Sequence, residues 1–204
     1  MSLKKLHPLL KEAIDNIGIK DSNTLQKKVL PVLKGGADAY VIAPTGSGKT
    51  TALIINTIHK LKAEAFEDSP RALIFVETKQ KALDLKEQFV TFTKHTNLRA
   101  YTVYDAYDIE KQRDEIYVGT DILIATPARL SKLYFKNWVH LGQIKLLAVE
   151  DAGYIVRNNI HNIILRLTES VDKCQFIIIS DTMNSKMANY QNSFMSNARI
   201  LKED

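Results

Sequence analysis

Cysteine is almost missing from this chain. Cys174 stands alone, so no intrachain disulfide can form. It lies just before the apolar run FIII and reads as a buried, inert thiol in a chain suited to a reducing compartment. Long hydrophobic runs are missing too. None approaches the roughly 20 residues needed to span a bilayer, so no membrane partner is expected. The amino terminus, MSLKKLHPLL, has no signal-peptide core, and a cytoplasmic location is expected. There is no basic tail, internal repeat or low-complexity linker, and the five histidines show no metal-ligand spacing. Charge is only mildly unbalanced, with 28 Lys and Arg against 23 Asp and Glu. The resulting pI of about 9.1 suits a polyanionic partner, and a slightly basic solvated surface accounts for it equally well. Trp138, the only tryptophan, reads as local packing. What remains is a chain of 204 residues, 45% hydrophobic and 25% charged, long enough for one sizeable self-supporting core.

Six short β-rich runs punctuate it: AYVIAP (39–44), RALIFV (71–76), RAYTVY (99–104), DILIAT (121–126), KLLAVE (145–150) and QFIIIS (175–180). Several are almost continuously apolar, as strands covered on both faces should be. Helical patterns follow them at 50–61, 79–94, 109–117, 127–135, 158–169 and 185–194. Two more, at 6–17 and 23–33, precede the first strand. This alternation predicts an α/β fold, a parallel sheet with right-handed crossovers and helices on both faces. Ligands of such sheets bind beyond the carboxyl ends of the strands.

The first strand runs into APTGSGKT (43–50). Gly46 and Gly48 let the backbone curl so that successive N–H groups point inward at phosphate oxygens. Lys49 supplies a mobile positive charge for the terminal phosphates, and Thr50, opening a helix, can set its hydroxyl on Mg²⁺. Thr45, Ser47 and Thr51 complete the expected nucleotide contacts. Ala43 stands where the strict phosphate-loop pattern has glycine. A glycine-rich connecting turn is the plainer alternative, but strand, loop and helix occur in the order a P-loop requires.

From here on, the chain resembles the first RecA-like domain of a DEAD-box RNA helicase, with degenerate motifs. The resemblance covers nearly all of the chain in the family's order. It implies a single RecA-like P-loop NTPase domain over residues 1–204 that binds ATP, Mg²⁺ and single-stranded RNA. Residues 1–36 would form an amino-terminal helical preface and 198–204 the start of a linker to a second RecA-like domain, making this chain a fragment of a longer one. GIKDSNTLQ (18–26) is similar to the family's glutamine motif, which implies that Gln26 reads the adenine edge; the family's flanking prolines are absent. VETKQKALDL (76–85) resembles the PTRELA segment, with Thr78 and Lys79 at its Thr and Arg positions, and TPAR (126–129) resembles TPGR. The resemblance therefore implies RNA contacts from Thr78, Lys79, Thr126 and Arg129. Where the family has a glycine pair between these segments, this chain has Asp105 and Ala106, and a carboxylate is unfavourable beside a phosphate track.

The acidic motif is the largest departure. In LLAVEDAGYIV (146–156), Glu150, Asp151, Ala152 and Gly153 align with the family's Asp-Glu-Ala-Asp. The resemblance implies that Glu150, one methylene longer than the family's acid, joins Thr50 in holding Mg²⁺ through water. Asp151, one methylene shorter, would then position the attacking water less well unless the backbone adjusts. Gly153 cannot supply the family's fourth acid. The later strand ends in Ser180, Asp181 and Thr182 instead of the family's interdomain-coupling Ser-Ala-Thr. Asp181 is expected either to replace the lost carboxylate, bonding Thr182 or the backbone near Gly153, or to cap the next helix. Two functional readings from different classes follow. One is an ATP-dependent RNA helicase core using Lys49, Glu150 and Asp151; the other is a pseudo-helicase that binds nucleotide or RNA with little hydrolysis. Another P-loop phosphotransferase is a third.

Overall fold

The computed structural model describes Leu3 and residues 6–203; the terminal residues 1–2, 4–5 and 204 of the expected preface and linker lie outside them. Two helices come first, α1 (Pro8–Asn16) and α2 (Thr24–Lys34). The alternating part follows as β1 (Ala39–Ile42), α3 (Lys49–Lys60), β2 (Ala72–Phe75), α4 (Lys79–Thr93), β3 (Ala100–Val103), α5 (Ile109–Tyr117) and β4 (Ile122–Ala125). It continues with α6 (Pro127–Phe135), β5 (Leu146–Val149), α7 (Ile160–Thr168), β6 (Gln175–Ser180), α8 (Ser185–Asn189) and β7 (Arg199–Lys202). The expected elements form, most within two residues of their predicted ends. The last predicted helix is the exception: it stops at Asn189 and gives way to a short 3-10 turn, Tyr190–Asn192.

All strands pair in parallel in one seven-stranded sheet of order β3-β4-β2-β5-β6-β1-β7. Strand alternation divides the core cleanly. Val41, Ile74, Ile124, Ala148 and Ile177 face one way and pack on Leu10, Leu25, Leu53 and Phe89 from α1 to α4. Tyr40, Leu73, Leu123, Leu147 and Ile178 face the other way, against Ile116, Leu130, Ile164 and Met187 from α5 to α8. This is the RecA-like α/β arrangement expected, with both faces covered.

One stretch differs from its predicted role. Residues 199–202, expected to begin a linker, add β7 to the sheet edge beside β1. Only Leu201 of this strand is buried, while Arg199, Ile200 and Lys202 are exposed. One inward residue on an edge strand leaves too little alternation to read from sequence. The preface is likewise built into the body, since α1 and α2 supply part of the first core.

Parallel pairing brings every strand's carboxyl end to the same edge. The strand order then divides that edge in two. β5, β6 and β1 are neighbours on one side, and β3, β4 and β2 on the other.

Candidate functional site

Beyond β1, the 43–48 loop turns through two left-handed glycines, Gly46 (φ 83°) and Gly48 (φ 86°). Gly48 is doubly required. Besides its dihedral, a Cβ there would come within 2.7 Å of the side-chain amides of Asn23 and Gln26. Those amides brace the loop from outside. Asn23 caps α2 by accepting from the Gln26 amide at 2.8 Å, and Gln26 Oε1 accepts from the Asn23 amide at 3.2 Å. Asn23 Nδ2 then donates to Ser47 O (2.8 Å), and Gln26 Nε2 to Gly48 O (3.4 Å). Gln26, expected from the sequence to read adenine, is thus buried in a capping box that props the phosphate loop. Sequence reasoning missed Asn23, although N-x-x-Q ahead of an apolar-periodic helix is a visible capping signature.

The cradle opens into a groove of about 610 Å³, lined by Thr45, Gly46, Gly48, Lys49, Thr50 and Thr51 from the loop and α3. Glu150, Asp151 and Asp181 line it from β5 and β6. Ser47 turns away from the groove: its carbonyl faces Asn23 and its hydroxyl is buried. Lys49 is buried, and its ammonium donates to Ala43 O, to Pro44 O (2.7 Å) and to Asp181 Oδ1 (2.8 Å). Thr50 Oγ1 donates to Glu150 Oε1 at 2.5 Å.

Glu150 Oε2 is buried with no hydrogen-bond partner, and burial pushes the carboxyl up to about 7 against the pull of the Thr50 hydroxyl. A cation there would satisfy the orphaned oxygen and favour the ionised form. The adjacent hydroxyl and carboxylate fit Mg²⁺, which takes one or two protein oxygens and fills its shell with water and phosphate. Among the described residues no cluster of three or more His, Cys, Asp or Glu side chains that could hold a metal ion occurs.

Asp151 is arranged differently. Its backbone is left-handed (φ 54°), a conformation that Asp enters more readily than Glu. The transposed order of the acids therefore suits the local backbone. Its carboxylate pairs with Lys81, which also donates to Glu77 at 3.1 Å, and Arg157 reaches Glu77 at 2.5 Å. Burial alone would lower the Lys81 pKa, but its bonds to Asp151 and Glu77 outweigh that and raise it. Sequence reasoning missed Lys81 as well; the Glu77–Lys81 spacing of four was the available signal.

Asp181 departs from both expectations. Asn184 caps α8, so Asp181 does not. Nor does Asp181 bond Thr182 or the Gly153 backbone. It accepts from Lys49 and, through Oδ2, from Thr45 Oγ1 at 2.9 Å. The reason is topological: β6 lies next to β1, so the end of β6 faces the loop after β1. Ser180 is buried and accepts from the Ala43 amide at 3.2 Å, while Thr182 is exposed. A Cβ at Gly153 would meet nothing within 4 Å, so crowding does not account for the missing fourth acid.

On the other half of the edge, the ends of β2, β3 and β4 and the amino termini of α4 and α6 enclose a depression of about 310 Å³. Thr78, Lys79, Asp105 and Thr126 line it. Thr78 caps α4 through its hydroxyl, and Lys79 lies 5.2 Å from the centre of the Tyr104 ring. Asp105 draws in the remaining groups. Thr126 Oγ1 donates to it at 3.3 Å, Lys132 at 3.2 Å, and Arg129 Nε lies 3.6 Å away. Arg129 is buried and its Nε has no hydrogen-bond partner. The four residues expected to contact RNA thus share one depression or its rim, and the carboxylate in their midst is the chain's own. Ala106, the next residue, is left-handed (φ 65°), a dihedral that glycine would adopt without strain.

A parallel α/β sheet with a glycine-rich cradle, a lysine and a hydroxyl–carboxylate pair defines a P-loop nucleotide-binding domain. The family model of the DEAD/DEAH box helicases matches residues 23–190, and the chain belongs to that family. It is 30% identical over 208 residues to the ATP-dependent RNA helicase RhlB of Yersinia pestis (strain Pestoides F) and to that of Yersinia pseudotuberculosis serotype O:3 (strain YPIII). Each alignment covers 97% of this chain but 48% of the relative, so the chain spans about half the length of the curated relatives it matches. The resemblance read from the sequence is borne out. Among the described residues no helix is long and apolar enough to cross a membrane.

Proposed function

We propose that this domain binds Mg²⁺–ATP in the groove beyond β5, β6 and β1 and single-stranded RNA beyond β3, β4 and β2. It would be the first half of a cytoplasmic ATP-dependent RNA helicase, completed by a second RecA-like domain. The observation that carries this reading is the meeting of Lys49, Thr50 and Glu150 at the head of a glycine cradle.

In this reading, the amides of the loop and the amino terminus of α3 hold the phosphates, and Lys49 draws the terminal ones into place. Mg²⁺ held by Thr50 and Glu150 would neutralise charge on the phosphate oxygens. Gln26 keeps the loop in shape and reads the base from behind it. Asp151 orients the attacking water once it leaves Lys81. Thr78, Lys79, Thr126 and Arg129 take the RNA backbone, and Ser180, Asp181 and Thr182 relay the state of the groove to the second domain. The ordered family match speaks against a small-molecule phosphotransferase. ATP turnover by the full-length protein, measured with and without single-stranded RNA, tests the proposal. RNA-stimulated turnover supports it, and turnover indifferent to RNA counts against it.

The pairing of Asp151 with Lys81 favours the second reading, binding with little hydrolysis. The two readings part on one variant. If Lys81 restrains Asp151, Lys81→Ala raises RNA-stimulated turnover by about tenfold, a part of the roughly 10²–10⁴-fold that general acid–base catalysis supplies. No increase in single-turnover hydrolysis would mean that Asp151 is not restrained by this contact.

Asp105 sets a further expectation. Asp105→Asn keeps the shape of the side chain and removes its charge, freeing Arg129, Lys132 and Thr126 for phosphate. Single-stranded RNA should bind about tenfold more tightly at moderate salt, a change of ~1.4 kcal/mol. Each additional phosphate neutralised should steepen the salt dependence by about 0.7 in log–log slope. Anisotropy titration of a labelled oligonucleotide at several salt concentrations checks both.

A further inference from the structure

We propose that Asp181 makes the nucleotide groove selective by phosphate number: its carboxylate sits in the seat of a terminal phosphate and biases the domain toward nucleoside diphosphate. The inference rests on reading this groove as the nucleotide site.

Its two oxygens are divided between two donors of the cradle. Oδ1 takes the Lys49 ammonium at 2.8 Å, and Oδ2 takes the Thr45 hydroxyl at 2.9 Å. The other contacts of the ammonium are the carbonyls of Ala43 and Pro44, so all three of its protons have acceptors. A lysine in this motif serves the two outermost phosphates of a triphosphate. Here it is already matched to an anion of the chain's own. A third phosphoryl group has to displace Asp181 or lie beside it, whereas a diphosphate ends one group earlier.

The rest of the groove adds to the discrimination. Asp84, Glu150, Asp151 and Asp181 line it against Lys49 and Lys81, and Lys81 is paired with Asp151. Asp181 also stays charged at neutral pH, because the Lys49 and Thr45 bonds hold its carboxyl below the usual range. The side chain remains 46% exposed, so water screens the repulsion and its effect is moderate.

The test is calorimetric titration of Mg²⁺–ATP and Mg²⁺–ADP into the full-length protein and its Asp181→Ala, Asp181→Asn and Asp181→Glu variants. A thermal melt of each variant establishes folding. Asp181→Ala and Asp181→Asn are expected to tighten ATP by about tenfold and ADP by no more than about threefold, as removal of one partly screened like charge should. Asp181→Glu keeps the charge and should keep the wild-type preference. An ATP-to-ADP affinity ratio unchanged in both Asp181→Ala and Asp181→Asn overturns the inference. Wild type that binds both nucleotides, with both lost in Lys49→Ala, upholds the groove reading whatever that ratio does. If neither nucleotide binds wild type or Asp181→Ala, both the reading and the inference fall. ATP binding that emerges only when Asp181 is removed supports both.

Discussion

Replacing Lys49 by alanine is expected to lower RNA-stimulated ATP turnover of the full-length protein by at least about 10²-fold. That is the scale of losing one preorganised donor to developing charge, ~2.7 kcal/mol or more. Here the loss goes further than one bond. The ammonium donates to Ala43 O, Pro44 O and Asp181, and it is the cation that balances Asp181 in the groove. Without it, Asp181 faces the phosphates uncompensated. ATP affinity should therefore fall along with turnover, and Asp181→Ala in the Lys49→Ala background should recover part of that affinity. Steady-state turnover with saturating RNA, together with equilibrium ATP binding, measures both effects. Turnover unaffected by Lys49→Ala would mean that the chemistry lies elsewhere.

The second large effect is on stability, away from the groove. Asp121, just before β4, is fully buried between two arginines. Oδ1 accepts from Arg71 at 2.6 Å and from the Phe66 amide at 3.0 Å. Oδ2 accepts from Arg99 Nε at 2.9 Å and from the Arg99 amide at 3.1 Å. Burial alone would raise this carboxyl's pKa, but the bonds from Arg99 and Arg71 and the two amides outweigh it and hold it below the ordinary value. Asp121→Ala strands a buried Arg71 charge and two amides, and should cost about 3–5 kcal/mol. At ~2–4 °C per kcal/mol for a domain of this size, the melting temperature falls by roughly 10 °C. Asp121→Asn, which keeps the shape, should cost less. Because the native pKa is depressed, the contribution is present in full above the ordinary carboxylate range. It is lost as pH falls through the native value. Wild type and Asp121→Ala should accordingly converge in stability toward acid pH. Urea unfolding at several pH values checks the sign, and a gap that widens on acidification would contradict it.

Asp121 also marks a limit of sequence reading. In the sequence it is one more polar residue at the start of an apolar run. Its weight comes from Arg71 and Arg99, which only the pairing of β4 with β2 and β3 brings to it. Asp105 is similar. The sequence places a carboxylate near TPAR, and the structure shows it among Thr126, Arg129 and Lys132. Lys81 escapes a sequence reading because its partner Asp151 is 70 residues away along the chain.

The sequence by itself determined the strand–helix alternation, the parallel sheet and the phosphate cradle, which rest on local signals: apolar runs and glycines at a turn. The meeting of Thr50 with Glu150, 100 residues apart, was implied by the family resemblance. Tertiary structure alone decided which charges compensate which. Gln26 turned out to brace the loop, Asp181 to engage Lys49 and Thr45, and Lys81 to hold Asp151. Charge pairing depends on separations of a few ångströms across strand order and crossover geometry, and those separations are not written in the spacing of residues along the chain.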